Sequence, residues 1–204
     1  MGVKVTGTTT TETLQELLQE NKGFLKASDA MRMGVSRTAL GRFVRNHGLE
    51  RVAHGLYMSQ DAWEDGLYVV QVRYPEVVFS HETALYLLNL ANREPMPFSV
   101  TLKTGTNSAA LSKEGIKTYK VKEALFKEGV IEALSPSGHT VRTYNAERTI
   151  CDLFRSRRNI EIQDLQDAVR TYLRLKEKNI PLLMRYAELF SVEKPVRQYL
   201  EALL

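Results

Sequence analysis

Cysteine is nearly absent from the chain. Cys151 is the one thiol among 204 residues, so no internal disulfide can form, and a reducing, cytoplasmic setting is expected. No apolar run is long enough to span a membrane. Met1 to Thr11 is rich in glycine and threonine and lacks an apolar core, so no export signal is expected there. Gly2-Val3-Lys4-Val5-Thr6 fits an N-myristoylation pattern only loosely and is set aside. Cys and His are nowhere clustered at metal-ligand spacing. Lys103-Thr104-Gly105-Thr106 lacks the spacing of a phosphate-cradling loop. No paired carboxylates follow a Gly-Ser turn, as nucleotidyl transfer would need. Internal repeats and heptad runs are also missing. Catalysis, a metal and a bound cofactor therefore find no support.

What is present is an ordinary globular composition, 43% hydrophobic and 25% charged, enough for one large domain or two small ones. The formal charge of +4 is unevenly spread. Residues 1–60 carry +3, 61–96 carry −4, 97–144 carry +3 and 145–204 carry +2, so basic regions flank an acidic connector.

The most informative stretch runs from Ala27 to Met58. Its pattern predicts a helix, a turn at Gly34, and a second helix capped by Ser36. Ala30 is small enough for the helices to cross closely, and Met33, Val35, Leu40 and Phe43 are expected to face inward. That leaves Arg37, Thr38, Gly41, Arg42 and Arg45 outward, a basic, short-sided face that a DNA major groove accepts. Leu49 to Val52, the turn His54-Gly55, and Leu56 to Met58 read as a β-wing. Arg37 and Arg42 are the candidates for base contacts. Ser36 and Thr38 are expected on phosphate, and Arg45, Arg51 and His54 on phosphate or in the minor groove. A support helix precedes the motif, opening with Thr9 and Glu12 at capping-box spacing and carrying Leu14, Leu17 and Leu18. Residues 1–60 are thus expected to form a winged helix-turn-helix domain.

Residues 61–204 are expected to form a second, α+β domain, with 61–76 as a connector helix capped by Asp61 and bearing Trp63, Leu67 and Val70 on its apolar side. Strands are predicted at Val77–Phe79, Phe98–Leu102, Ile116–Lys122, Val130–Leu134 and Thr140–Tyr144, with Ser135–His139 as a hairpin loop. Thr104–Lys113 is expected to be a mobile loop. Helices follow from Asn145, which caps the first, to give a small sheet backed by a C-terminal helical set. Among the histidines, His47, His54 and His139 read as solvated or capping. His81-Glu82 with Cys151-Asp152 could be imagined as a thiol site, but Cys151 beside Ile150 reads as a buried structural thiol.

The run Gly34 to Leu40, continuing through Leu49 to Tyr57, resembles the AbiE-type antitoxins of bacteria. Phe79-Ser80-His81-Glu82-Thr83-Ala84-Leu85 and Tyr144-Asn145-Ala146-Glu147-Arg148-Thr149-Ile150-Cys151-Asp152-Leu153 look like that family's second domain. The resemblance implies the antitoxin half of a type IV toxin–antitoxin, phage-abortive-infection system. It further implies that the winged helix binds inverted repeats in its own promoter, and that the second domain counters a nucleotidyltransferase-like toxin without a stable complex.

Lys117, Lys120, Lys122, Arg142, Arg155, Arg157 and Arg158 form a candidate nucleic-acid-facing basic patch of the second domain, read from charge alone. With no zipper in view, a monomer in solution is expected. The rival readings are a transcription factor with a ligand-sensing domain and a winged-helix-fused nucleic-acid enzyme. The enzyme would need a carboxylate cluster that neighbouring residues do not supply.

Overall fold

The computed structural model describes residues 9–203, so the expectations for Met1 to Thr8, the myristoylation pattern included, lie outside the described residues. The chain divides into two compact units, Met1–Pro75 and Glu76–Leu204.

In the first unit, α1 (Thr10–Glu20) opens with the predicted capping box. Thr9 Oγ1 accepts from the Glu12 N–H at 3.2 Å, and the Glu12 carboxylate accepts from the Thr9 N–H at 2.6 Å. Gly23 then turns the chain at φ +88°, where a Cβ would lie 2.5 Å from that of Ala62, so a side chain is excluded sterically as well as conformationally. β1 (Phe24–Lys26), α2 (Ala27–Arg32), α3 (Arg37–Asn46), β2 (Glu50–Ala53) and β3 (Leu56–Met58) follow. The antiparallel sheet has the order β1-β3-β2, so the wing hairpin gains a third strand from the segment before the motif. Leu14, Leu25, Ala30, Val35, Leu40, Phe43 and Leu49 form one core cluster. Met33, expected inside, is 63% exposed: it caps the C-terminus of α2, and the turn swings it outward while Ala30 takes the buried place.

The connector differs from its expectation. The helix is α4 (Gly66–Arg73), capped by Asp65, whose carboxylate accepts from the Tyr68 N–H at 3.0 Å; Asp61 is not the cap, and Trp63 is 86% exposed. Tyr68 meets the Phe24 ring edge-on at 5.2 Å, and Arg73 donates to the Val52 carbonyl at 2.7 Å. The helix therefore packs into the winged unit, and the boundary expected after residue 60 falls at Pro75.

The second unit contains β4 (Val78–Phe79), α5 (His81–Leu87), β5 (Ser99–Lys103), α6 (Ala109–Lys113), β6 (Lys117–Val121), α7 (Glu123–Phe126), β7 (Val130–Leu134) and β8 (Thr140–Tyr144). Then come α8 (Ala146–Arg155), a 3-10 turn at Arg157–Asn159, α9 (Ile162–Arg174), α10 (Ile180–Leu189) and α11 (Glu193–Leu203). The mixed sheet has the order β6-β5-β4-β8-β7, with β5–β6 and β4–β8 parallel. The loop expected at Thr104–Lys113 holds α6, anchored by buried Leu111. An α+β fold, a small sheet with a C-terminal helical set, is what forms.

Helix α8 is the centre of this unit and contacts α5, α9, α10 and α11. Asn145 caps it, and Glu147 through Phe154 are all buried. Burying Arg148 is tolerable only because its charge is answered. Nε donates to Asp152 at 2.9 Å, Nη1 to the carbonyls of Leu125 and Glu128 at 2.9 Å each, and the guanidinium lies between the rings of Tyr144 and Phe190, 4.2 and 3.9 Å from their centroids. Gly129 allows this approach: a Cβ there would stand 2.8 Å from Arg148 Cβ. Arg148→Ala should cost about 3–5 kcal/mol, because it leaves Asp152 and two carbonyls short of a donor in a dry site. An Arg148→Met/Asp152→Leu pair should recover most of that loss in urea denaturation; recovery of nothing would mean the ion pair is not what the helix depends on.

Candidate nucleic-acid interface

Leu40 and Phe43 are both buried, and together they fix the rotation of α3 about its axis. Ser36, Arg37, Thr38, Arg42 and Arg45 consequently lie exposed. Ser36 Oγ accepts from the Ala39 N–H at 3.2 Å, as the cap requires, which leaves its hydroxyl proton free to donate outward. Arg37 stands at the first helical position, where the dipole disfavours a cation, and no acidic residue occupies the first turn to offset it. Among the described residues, Arg37, Arg42 and Arg45 have no ion-pair partner.

The wing adds a preorganised element. Arg51 donates from Nε to the Ala53 carbonyl at 3.3 Å, and its Nη2 is 3.0 Å from His54 Nδ1. A guanidinium can only donate, so this Nδ1 is the acceptor. Gly55 turns the hairpin at φ +68°, and the β2–β3 register shifts between Arg51 and Ala53. His47 folds back on its own helix, stacked on Phe43 with ring centroids 4.0 Å apart and Nδ1 3.0 Å from the Phe43 carbonyl.

The basic residues of the second unit do not form a single face. Lys117 pairs with Glu82 at 2.9 Å on the side of the sheet that carries α5, whereas Lys120 falls on the opposite side by strand alternation. Lys122 follows β6 as an exposed residue, and Arg142 donates to the Val77 carbonyl at 3.1 Å. Arg155, Arg157 and Arg158 do come together, around one cleft.

A second polar cluster was only half visible in the sequence. His81 begins α5 at φ +52°, a strained conformation for a residue with a Cβ, and is 2% exposed. Its Nδ1 is 3.0 Å from Ser80 Oγ and its Nε2 is 2.9 Å from Ser156 Oγ. Its ring stacks on Tyr119 at 3.4 Å. Glu82 accepts from Ser99 and Lys117, and Thr83 Oγ1 accepts from the Ser99 N–H. The Ser80–Leu85 stretch and the α8 stretch are thereby brought into one packed site. The residues missed were Ser156, Tyr119 and Phe190, which lie far off in sequence and carry no local signal. His139, expected to be solvated or capping, is 5% exposed. Cys151 is the buried thiol expected: Sγ is 3.7 Å from the Leu183 carbonyl, and burial pushes its pKa up to about 12, which leaves it unreactive. Among the described residues no group of three or more His, Cys, Asp or Glu could hold a metal ion, and no helix is long and apolar enough to cross a membrane.

Residues 12–60 match a family described as a transcriptional regulator, AbiEi antitoxin. The likeness to AbiEi-type antitoxin regulators thus lies in the winged unit. No curated protein matches the chain. Among solved structures, it is similar to the crystal structure of the RV2827C protein from Mycobacterium tuberculosis. The two share 12% identity with a TM-score of 0.57, over 86% of this chain and 70% of that one, a likeness of fold.

Burial holds the His81 pKa well below the ordinary histidine value, and the Lys117, Arg155 and Arg148 charges act in the same direction. The unfolded chain therefore takes up the proton first as pH falls. The contribution of His81 is full above about pH 6.5 and is lost below it, at up to about 1.4 kcal/mol per pH unit. Thermal or urea unfolding between pH 7 and 5.5 should show this slope, and His81→Gln should flatten it. An unchanged slope in the variant would contradict the assignment.

Proposed function

We propose that the chain is the antitoxin of a type IV toxin–antitoxin system of the phage-abortive-infection kind, and that it represses its own operon by binding inverted repeats in the promoter. In this reading α3 enters the major groove and the wing lies along the backbone. The protein works in the cytoplasm as a monomer that takes each half-site separately, without a cofactor and without catalysing a reaction. Its second unit counters a nucleotidyltransferase-like toxin without forming a stable complex. The observation that carries the DNA-reading part is the face of α3: three arginines, exposed and without carboxylate partners among the described residues, on a helix whose other face is buried. The AbiEi antitoxin match over residues 12–60 supports the regulatory part.

Roles follow from position. Arg37 and Arg42 are assigned to base edges, where a bidentate arginine–guanine contact discriminates by ~1–3 kcal/mol. Ser36 and Thr38 are assigned to phosphate, and Arg45, Arg51 and His54 to phosphate or minor groove.

Arg37→Ala should narrow the gap between operator and scrambled duplex by roughly the value of one such contact. Arg51→Ala should weaken both duplexes alike and lower the slope of log affinity against log salt by about one. Fluorescence anisotropy over a salt series separates these outcomes. Equal affinity of the wild-type chain for operator and scrambled DNA would sink the reading. Co-expression with the neighbouring gene tests the antitoxin part: the full chain should rescue growth, and a chain ending at Pro75 should not.

A further inference from the structure

The cleft beside the C-terminal end of α8 is the feature that the reading above does not use. It has a volume of about 560 Å³, within the range of small-ligand sites. Arg155, Arg157 and Arg158 line it together with Ser156, Asn159 and Ser191, and no carboxylate among the described residues does. Arg155 is held from behind by Asp152 at 3.1 Å, and its guanidinium lies 5.3 Å from the Phe190 ring centroid. Arg157 and Arg158, both exposed, have no ion-pair partner among the described residues. Arg157 and Arg158 carry adjacent charges beside the Asp152-paired Arg155, and an anion between them would relieve their repulsion. The lining also holds apolar side chains, Phe154, Phe190, Val192 and Pro195. A second cleft, of about 620 Å³, carries Glu82, Asp164 and Asp167 against Arg93 and Lys117 and so has no comparable preference for an anion.

The hydrogen bonds behind the arginine cleft point the same way. Thr101 Oγ1 donates to Ser80 Oγ at 2.9 Å. If each hydroxyl donates onward, Ser80 donates to His81 Nδ1, and the Nε2–H donates to Ser156 Oγ. The run then ends with the Ser156 hydroxyl proton unspent, on a residue that lines the cleft. A donor fixed from behind and flanked by guanidiniums suits a phosphoryl oxygen.

We infer that this cleft binds a nucleoside phosphate, with Arg155, Arg157, Arg158 and Ser156 on the phosphoryl group and the nucleoside against the apolar side chains. The space exceeds what a bare phosphate fills, and those side chains together with the Asn159 amide give the remainder of the ligand something to contact. The site is independent of the DNA-reading face and stands or falls separately from it.

The test is calorimetric titration of the full chain at about 0.15 M salt with ATP, CTP, AMP, inorganic phosphate and a short single-stranded RNA. At least one nucleotide should bind about tenfold or more tightly than inorganic phosphate. Arg157→Ala/Arg158→Ala should weaken it by about tenfold or more without lowering the melting temperature of the unliganded protein, since neither side chain is buried or paired. Ser156→Ala should weaken it by a smaller factor. In the double arginine variant, operator binding should be unchanged, which separates failure of this site from failure of the DNA reading. No nucleotide binding, equal binding of inorganic phosphate, binding of RNA alone, or nucleotide binding undiminished in the double variant would each overturn the proposal.

Discussion

Burial of Leu40 and Phe43 is the constraint on which the interface depends. Two apolar side chains three residues apart set the rotation of a ten-residue helix, because removing both from water is worth several times the preference of any exposed residue on it. Once they point inward, helical geometry leaves Arg37, Arg42 and Arg45 outside. The same core draws Val35 from the turn and Leu49 from the approach to the wing, so the turn, the recognition helix and the wing are fixed by one cluster. Their relative geometry is then a property of packing rather than of flexible surface contacts, as a rigid reader of a rigid duplex requires.

The second unit is organised on the opposite principle. Its central helix is buried on all sides and carries Glu147, Arg148, Thr149 and Asp152 inside. An apolar helix of the same length would satisfy the same space, but it would not specify which loops approach. Arg148 selects the carbonyls of Leu125 and Glu128, and Glu147 accepts from the Tyr172 hydroxyl and the Asn179 N–H, so α7, the start of α10 and the end of α9 are each tied by a directional bond. The strain in His81 belongs to this arrangement. A left-handed residue at the first position of α5 persists only where neighbours hold it, and Ser80, Tyr119 and Ser156 do.

What could be read in advance was whatever local periodicity determines. The capping box of α1, the caps at Ser36 and Asn145, the amphipathic α3, the wing turn and the alternating strands are short-range patterns, and each appeared close to its expected residues. Errors arose where tertiary packing decides. Trp63 looked like part of a helical stripe, yet the helix begins only where Asp65 supplies a cap. The same helix was grouped with the second domain, because nothing local reveals that Tyr68 packs edge-on against Phe24, more than forty residues earlier. The candidate patch joined seven basic residues of the second unit, but strand alternation separates Lys117 from Lys120, and it is Arg155 at the end of α8 with Arg157 and Arg158 of the 3-10 turn that line one cleft. Ser156 carries no local signal; its place against His81 comes from the packing of α5 on α8.

Compensated and uncompensated charge can be told apart by position, and that distinction carries most of the functional reading. Arg148 gives Nε and Nη1 to acceptors and its faces to aromatic rings, with Nη2 alone lacking a hydrogen-bond partner among the described residues, so its charge is met largely within the fold and signals structure. An exposed arginine alone signals little, since water solvates it at small cost. The arginines of α3 and those around the cleft differ from both cases. They are held close to one another by a rigid helix or a 3-10 turn, and among the described residues no carboxylate pairs with Arg37, Arg42, Arg157 or Arg158. In the case of Arg37, the cation even sits at the end of a helix where the backbone dipole opposes it. Folding alone gives no reason for such placement, because a glutamate at that position would stabilise the helix. A bound anion does give a reason, since the exposed amides of the first turn and the guanidinium would then act on the same negative charge.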